Sequence, residues 1–116
     1  MPDYLCLLYN EDTDEAEREA RWAELPRWHA LTERMREAGV WVANNPLHGV
    51  EAATTVRVRD DDVLITDGPF ATTKEILAGY YLLRCRDLDE ALHWARQLPI
   101  AEYGSVEVRP VADLGG

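Results

Sequence analysis

A chain of 116 residues fits one domain with one core. Hydrophobic residues make up 47% of it, enough to pack an interior, which excludes a disordered chain. The formal charge of −10 excludes the basic surface that nucleic-acid phosphates require, so no nucleic-acid partner is expected.

Of the 12 basic residues 11 are arginine, which leaves Lys74 chemically unique. Cys6 and Cys85 lie inside apolar runs without CxxC spacing and read as buried free thiols of a reducing compartment. The opening "MPDYLCLLYNED" lacks the basic and apolar regions of a signal peptide. No apolar run approaches the roughly 20 residues of a membrane span, so a cytoplasmic protein with no membrane partner is expected.

The first element, "YLCLLY" (4–9), is a short apolar run typical of a strand buried on both faces. Tyr4, Cys6 and Leu8 point one way and Leu5, Leu7 and Tyr9 the other. "NEDTDE" opens a helical region, with Asp14 and Glu17 in a capping arrangement. Pro26 breaks this helix, kinks it, or starts a second one. Trp28, Leu31, Met35 and Ala38 then form one apolar stripe, and Gly39 ends the helix.

"VWVANN" (40–45) is the second strand and "PLHGVEAA" (46–53) a loop. "TTVRVRDDDVLITD" (54–67) reads as a hairpin turning at Asp60 to Asp62. Thr72 and Glu75 match a capping box, which predicts one helical turn over 73–77. "GYYLLRC" (79–85) is a further long strand. Asp87 caps the next helix, Glu90 completes its capping box, and Leu88, Ala91, Leu92 and Ala95 are its expected buried face. "SVEVRPV" (105–111) is the last strand, and "ADLGG" is a loose tail.

The order is an α+β one: a ferredoxin-like βαββαβ pattern with an inserted β-hairpin, in one domain over 1–116. Two main helices cover one sheet face. The first strand is apolar on both, so the other face needs cover that only a second copy supplies. A homodimer packed sheet against sheet, a dimeric α+β barrel, is the expected assembly.

"TTVRV", "TDGPFATTKEILAGYYLL", "DLDEALHWA" and "GSVEVRPV" together resemble the DGPF-domain family within the YCII-related superfamily, from Tyr4 to Val111. The resemblance implies a dimeric ferredoxin-like α+β barrel with a cleft beside the sheet. It implies little about activity, since the family is largely uncharacterised. It also implies a regulatory setting beside extracytoplasmic-function sigma factors for some DGPF-type members, and a His–Asp pair in some YCII-type members. The YCII-type helix histidine lies about eleven residues before the helix-ending glycine. Counting back from Gly39 reaches Trp28, with His29 one position off, and one position on a helix is about 100° of rotation. The pair does not carry over intact.

Asp67-Gly68-Pro69-Phe70 serves first as a stiff turn: Gly68, preceding a proline, is expected extended, Pro69 fixes the exit and Phe70 anchors the turn in apolar packing. The same turn aims the Asp67 carboxylate at a cleft mouth. His48 lies in a Pro/Gly-flanked loop, where binding residues often sit. Asp67 and His48 are therefore the candidate acid–base pair of a small enzyme, with Lys74 placed as an ion-pair partner for Asp67 or an anion contact. Tyr9, Phe70, Lys74 and Tyr81 are the candidate ligand contacts. Tyr80 and Tyr81 must face opposite sides of the sheet. His29, His48 and His93 lack HxxxH or HxH spacing, so no metal is expected, and no phosphate loop or nucleophile elbow suggests a cofactor. Two functions stay open: a small-molecule-binding or regulatory module, and a metal-independent enzyme acting on a small organic substrate.

Overall fold

The computed structural model describes residues 1–11 and 15–115, with only the backbone of Glu15; the expected cap at Asp14 lies outside them. Among the described residues six strands and three helices follow one another as β1 (Asp3–Glu11), α1 (Glu15–Trp22), α2 (Leu25–Glu37), β2 (Trp41–Pro46), β3 (Thr54–Arg59), β4 (Asp62–Asp67), β5 (Glu75–Arg84), α3 (Leu88–Ala95) and β6 (Ser105–Pro110). Short 3-10 turns fall at Val50–Ala52 and Pro99–Glu102. The main sheet runs β2-β5-β1-β6, and all its pairings are antiparallel. This mixed α+β arrangement is compatible with a ferredoxin-like fold.

Strand periodicity sets the core. Tyr4, Cys6 and Leu8 of β1 are buried, as are Tyr81 and Leu83 of β5, with Cys85 just beyond its end. They meet Leu31 and Met35 of α2 and Ala91 and Ala95 of α3 in one cluster. Each aliphatic side chain fully removed from water there contributes about 1.5–3 kcal/mol. The alternate residues, Leu5, Leu7, Tyr80 and Leu82, lie half-buried on the opposite face. The chain measures 46 × 45 × 18 Å, and its least extent holds one sheet and one helix layer.

Pro26 starts a second helix, the third of the three outcomes the sequence allows: α1 stops at Trp22, and Pro26 sits in the first turn of α2, where its missing N–H costs nothing. At the far end Gly39 takes φ 75°, and two backbone bonds, Val40 N–H to Met35 O and Gly39 N–H to Arg36 O, close a Schellman motif. On the predicted α2 stripe Trp28 is half-buried and Leu31 and Met35 are buried, while Ala38 is exposed.

Two local expectations fail for identifiable reasons. The helical turn over 73–77 is absent. Glu75 and Ile76 pair with Glu11 and Asn10, so β5 begins where the helix was expected. A single turn pays the full nucleation penalty for one hydrogen bond and cannot compete with an available ladder. On α3, Ala91 and Ala95 form the buried contact, but Leu88 and Leu92 are 47% and 45% exposed. Small side chains let the helix sit close, and the leucines fall on its flank. Asp87 caps α3 as expected by accepting from Glu90 N–H, whereas the Glu90 carboxylate accepts from Arg86 N–H, one residue before the cap.

Beyond the main sheet, β3 and β4 pair only with each other. Their two-residue turn is Asp60-Asp61, both with positive φ (50° and 68°), the combination that matches strand twist in tight hairpins. Val56 lies opposite Ile65 and Val58 opposite Val63, so one side of this arm is apolar and well exposed.

Gly79 and Gly39 should respond differently to alanine. A Cβ at Gly79 would lie 2.8 Å from the Asn45 backbone oxygen and 3.1 Å from Pro46 Cα, which forces β2 away from β5. At Gly39 nothing lies within 4 Å, and only the positive φ resists. Urea unfolding should show Gly39→Ala losing about 1 kcal/mol and Gly79→Ala about 1–3 kcal/mol. Equal losses would show that the strand pair accommodates the methyl.

Candidate functional site

Where α1 and α2 cross the β2–β5–β1 half of the sheet, a cavity of about 490 Å³ remains. Leu8, Leu25, Trp28, Ala78, Tyr81 and Ile100 supply most of its apolar wall. Trp28 and Tyr81 stack with ring centroids 6.1 Å apart and 23° between planes, which props α2 off the strand. A β-bulge does the rest. The β1–β5 register slips between Leu8 and Tyr9, whose partners are Gly79 and Leu77. The extra residue, Ala78, packs against the core and lines the cavity with a side chain too small to fill it.

The polar groups are few and oriented. Thr32 sits one turn after Trp28 on the buried side of α2 and donates to Trp28 O at 2.8 Å. A hydroxyl has one hydrogen, so the 2.8 Å contact between Thr32 Oγ1 and Tyr81 Oη has tyrosine as donor. The Tyr81 hydroxyl keeps lone pairs for a donor on an occupant. Burial pushes its pKa up, so it stays protonated at neutral pH. Asn44 is oriented by Trp41: indole Nε1–H is a donor only, so Asn44 Oδ1 accepts it at 2.8 Å and the amide NH₂ is left to donate. Arg21, at the last turn of α1, stacks over Tyr103 with Cζ 4.1 Å from the ring centroid. Burial, then the Glu24 carboxylate, push the Tyr103 pKa up, and Arg21 opposes them. His29 and the Arg36–Glu33 pair (3.7 Å) also line the cavity.

The expected site residues are distributed around the molecule. Tyr81 belongs to this cavity. Tyr9, His48 and Phe70 line a second cavity of about 640 Å³, between the loop after β2 and the start of β5. His48 also edges a third, of about 340 Å³, beside Arg18 and Glu51. Asp67 is exposed at the end of β4, opposite Thr54, and lines none of the three. Lys74 does not reach it: its Nζ lies 3.5 Å from Glu11, because the chain from Glu75 onward runs along β1 rather than coiling back. Gly68 takes φ 93° instead of an extended conformation, and its N–H and O bond Ala53 O and Thr55 Oγ1. The turn is thus tied to the start of β3, and Phe70 stays 76% exposed instead of anchoring it in the core.

Arg21, Thr32, Asn44 and Tyr103 escaped the sequence reading. Thr32 did leave a signal, a hydroxyl one turn after Trp28 and beside Leu31 of the apolar stripe. Tyr80, on the open face, accepts from Asn45 at 2.9 Å. Among the described residues no three His, Cys, Asp or Glu side chains group closely enough to hold a metal, and no helix is long and apolar enough to cross a membrane.

An antiparallel α+β sheet with one helix layer and a pocket under the second helix is the architecture this chain presents. It belongs to the YCII-related domain family, whose pattern matches residues 3–114. It is also similar to an uncharacterized protein of Rhizobium meliloti (strain 1021), with 39% identity over 113 residues, covering 94% of this chain and 91% of the relative.

The Thr32–Tyr81 pair gives an asymmetric test. Thr32→Val leaves a buried tyrosine hydroxyl without its acceptor and should cost about 1–3 kcal/mol. Tyr81→Phe leaves Thr32 still bonded to Trp28 O and should cost about 1 kcal/mol. Thermal unfolding of the two variants would reverse the assigned bond direction if Tyr81→Phe proved the worse.

Proposed function

We propose that this protein is a small-molecule-binding or regulatory module of the DGPF-type branch of its family, and that its ligand occupies the 490 Å³ cavity beneath α2. The observation that carries this reading is the joint presence of an apolar wall and a few fixed polar groups, at a size within the range of small-ligand sites. The branch is supported by the turn Asp67-Gly68-Pro69-Phe70, and a cytoplasmic setting by two free, fully buried thiols. Burial pushes the Cys6 thiol up to about 12, with Cys85 adding to the effect, which keeps it inert.

A second reading makes the protein a metal-independent enzyme with Asp67 and His48 as its acid–base pair on a small organic substrate. It draws on His48 in the wall of the 640 Å³ cavity with Tyr9 and Phe70. It ranks below the first because Asp67 is not part of that wall.

Indole is a neutral probe of suitable size for the first reading. Saturation-transfer NMR should show contact between indole and the protein, lost in Ala78→Leu, whose larger side chain fills the cavity. Asp67→Asn and His48→Ala should leave the signal unchanged. No transfer, or transfer untouched by Ala78→Leu, removes this cavity as the site; loss in the Asp67 and His48 variants moves it to the second reading.

The functional unit in this reading is a homodimer packed through the open sheet face. Leu5, Leu7, Leu77, Tyr80 and Leu82 form an apolar surface there that none of the described helices covers. Soluble monomers seldom leave so broad a sheet face bare. Light scattering at micromolar concentration should give twice the 13.2 kDa chain mass. A monomer under those conditions overturns this assembly.

A further inference from the structure

Arg21 carries a buried donor that the structure leaves unbonded. Among the described residues, its Nη1 is the buried side-chain nitrogen or oxygen atom left without a hydrogen-bond partner. The stacking on Tyr103 engages the face of the guanidinium. The N–H donors lie in its plane, at the edge, and the stacking does not satisfy them. Most other arginines of this acidic chain do have carboxylates: Arg27 with Glu102 (2.8 Å), Arg84 with Asp3 (2.8 Å) and Arg86 with Glu90 (3.0 Å) are examples. Nearby acids are already engaged. Glu24 lies 3.8 Å from Arg27 and accepts from Tyr103 Oη at 3.4 Å, and Glu33 pairs with Arg36.

Arg21 lines this cavity and the 340 Å³ one beside it, and a guanidinium nitrogen withdrawn from water with no internal acceptor gains when its side chain turns to meet an acceptor on an occupant. A planar carboxylate matches the guanidinium fork better than any neutral acceptor. The same cavity offers the Asn44 NH₂ as a second donor, held by Trp41, and the Trp28–Tyr81 stack as an aromatic wall. Tyr81 Oη contributes only lone pairs there and so favours an occupant that also carries a donor. A net charge of −10 repels anions in general, so anion binding here requires a local cation without a partner.

We infer that the cavity beneath α2 selects a small aromatic carboxylic acid, its carboxylate held at the edge of Arg21 and its ring laid against Trp28 and Tyr81. This rests on the cavity reading above and adds the class of ligand to it. Arg21 is the residue that sets specificity, and Asn44 assists it.

Calorimetric titration with phenylacetate and with its neutral counterpart phenylacetamide tests the inference. The natural protein should bind phenylacetate about 10- to 100-fold more tightly, the ratio expected of a charge-assisted hydrogen bond. Arg21→Gln should abolish that preference and leave the amide's affinity unchanged, while Arg21→Lys should keep part of it. Asn44→Asp retains the acceptor for Trp41 but replaces the donor with a negative charge, and should also lose phenylacetate selectively. Equal affinity for the two probes in the natural protein overturns the inference, as does a preference that survives Arg21→Gln. Should Arg21→Gln not fold, a preference surviving Asn44→Asp overturns it. In each case indole contact that Ala78→Leu abolishes would leave the cavity reading standing. Failure of indole, phenylacetate and phenylacetamide alike to bind removes both.

Discussion

A hydroxyl buried in an apolar layer must find a partner, and the pairing of Tyr81 with Thr32 is how this molecule meets that requirement. The pair ties α2 to the central strand β5 at one fixed separation. Trp28, one turn earlier, stacks on the same tyrosine and accepts the Thr32 hydrogen through its carbonyl. The helix therefore cannot slide down onto the sheet and close the space beneath it. Had Thr32 been valine and Tyr81 phenylalanine, the two layers could have collapsed together. The cavity is thus the product of two polar atoms in a place where packing alone would have put methyl groups.

The bulge at Ala78 reinforces this from the sheet side. It shifts the register of one half of β5 relative to the other, so that a methyl side chain faces the helix layer where a regular ladder would have set a larger one. It also lets Ala78 O accept from Leu47 N–H at 2.8 Å, holding the loop after β2 against the strand. Two irregularities, one in each layer, open the same space.

The parts of the fold legible in the sequence were those set by strong local rules. The alternation of Tyr4, Cys6 and Leu8 against Leu5, Leu7 and Tyr9 is enforced by the strand's period of two. Gly39 after an apolar stripe and Asp87 before another mark helix ends through backbone chemistry that needs no tertiary contact. The failures came where tertiary pairing overrode a local signal: Thr72 and Glu75 resemble a helix start until β1 offers Glu75 a ladder. The site was harder to read. Tyr81 was reachable as one of two adjacent strand tyrosines. Arg21, Asn44 and Tyr103 come from three separate elements, and their significance lies in which of their polar atoms are left over once Trp41, Glu24 and the aromatic rings have taken their share. That remainder is a property of the folded geometry.

The β3–β4 arm has a consequence for behaviour in concentrated solution. A two-stranded ribbon with valines and an isoleucine along one side, and with backbone groups bare along both rims, is a template on which further strands could add. Its tip, however, carries three consecutive aspartates, two of them in the turn itself. Neighbouring arms approaching tip to tip meet like charge before their rims can align. Because such repulsion between exposed charges fades as the Debye length shrinks from about 10 Å at 0.1 M salt to about 3 Å at 1 M, the molecule's resistance to fibrous association is tied to ionic strength.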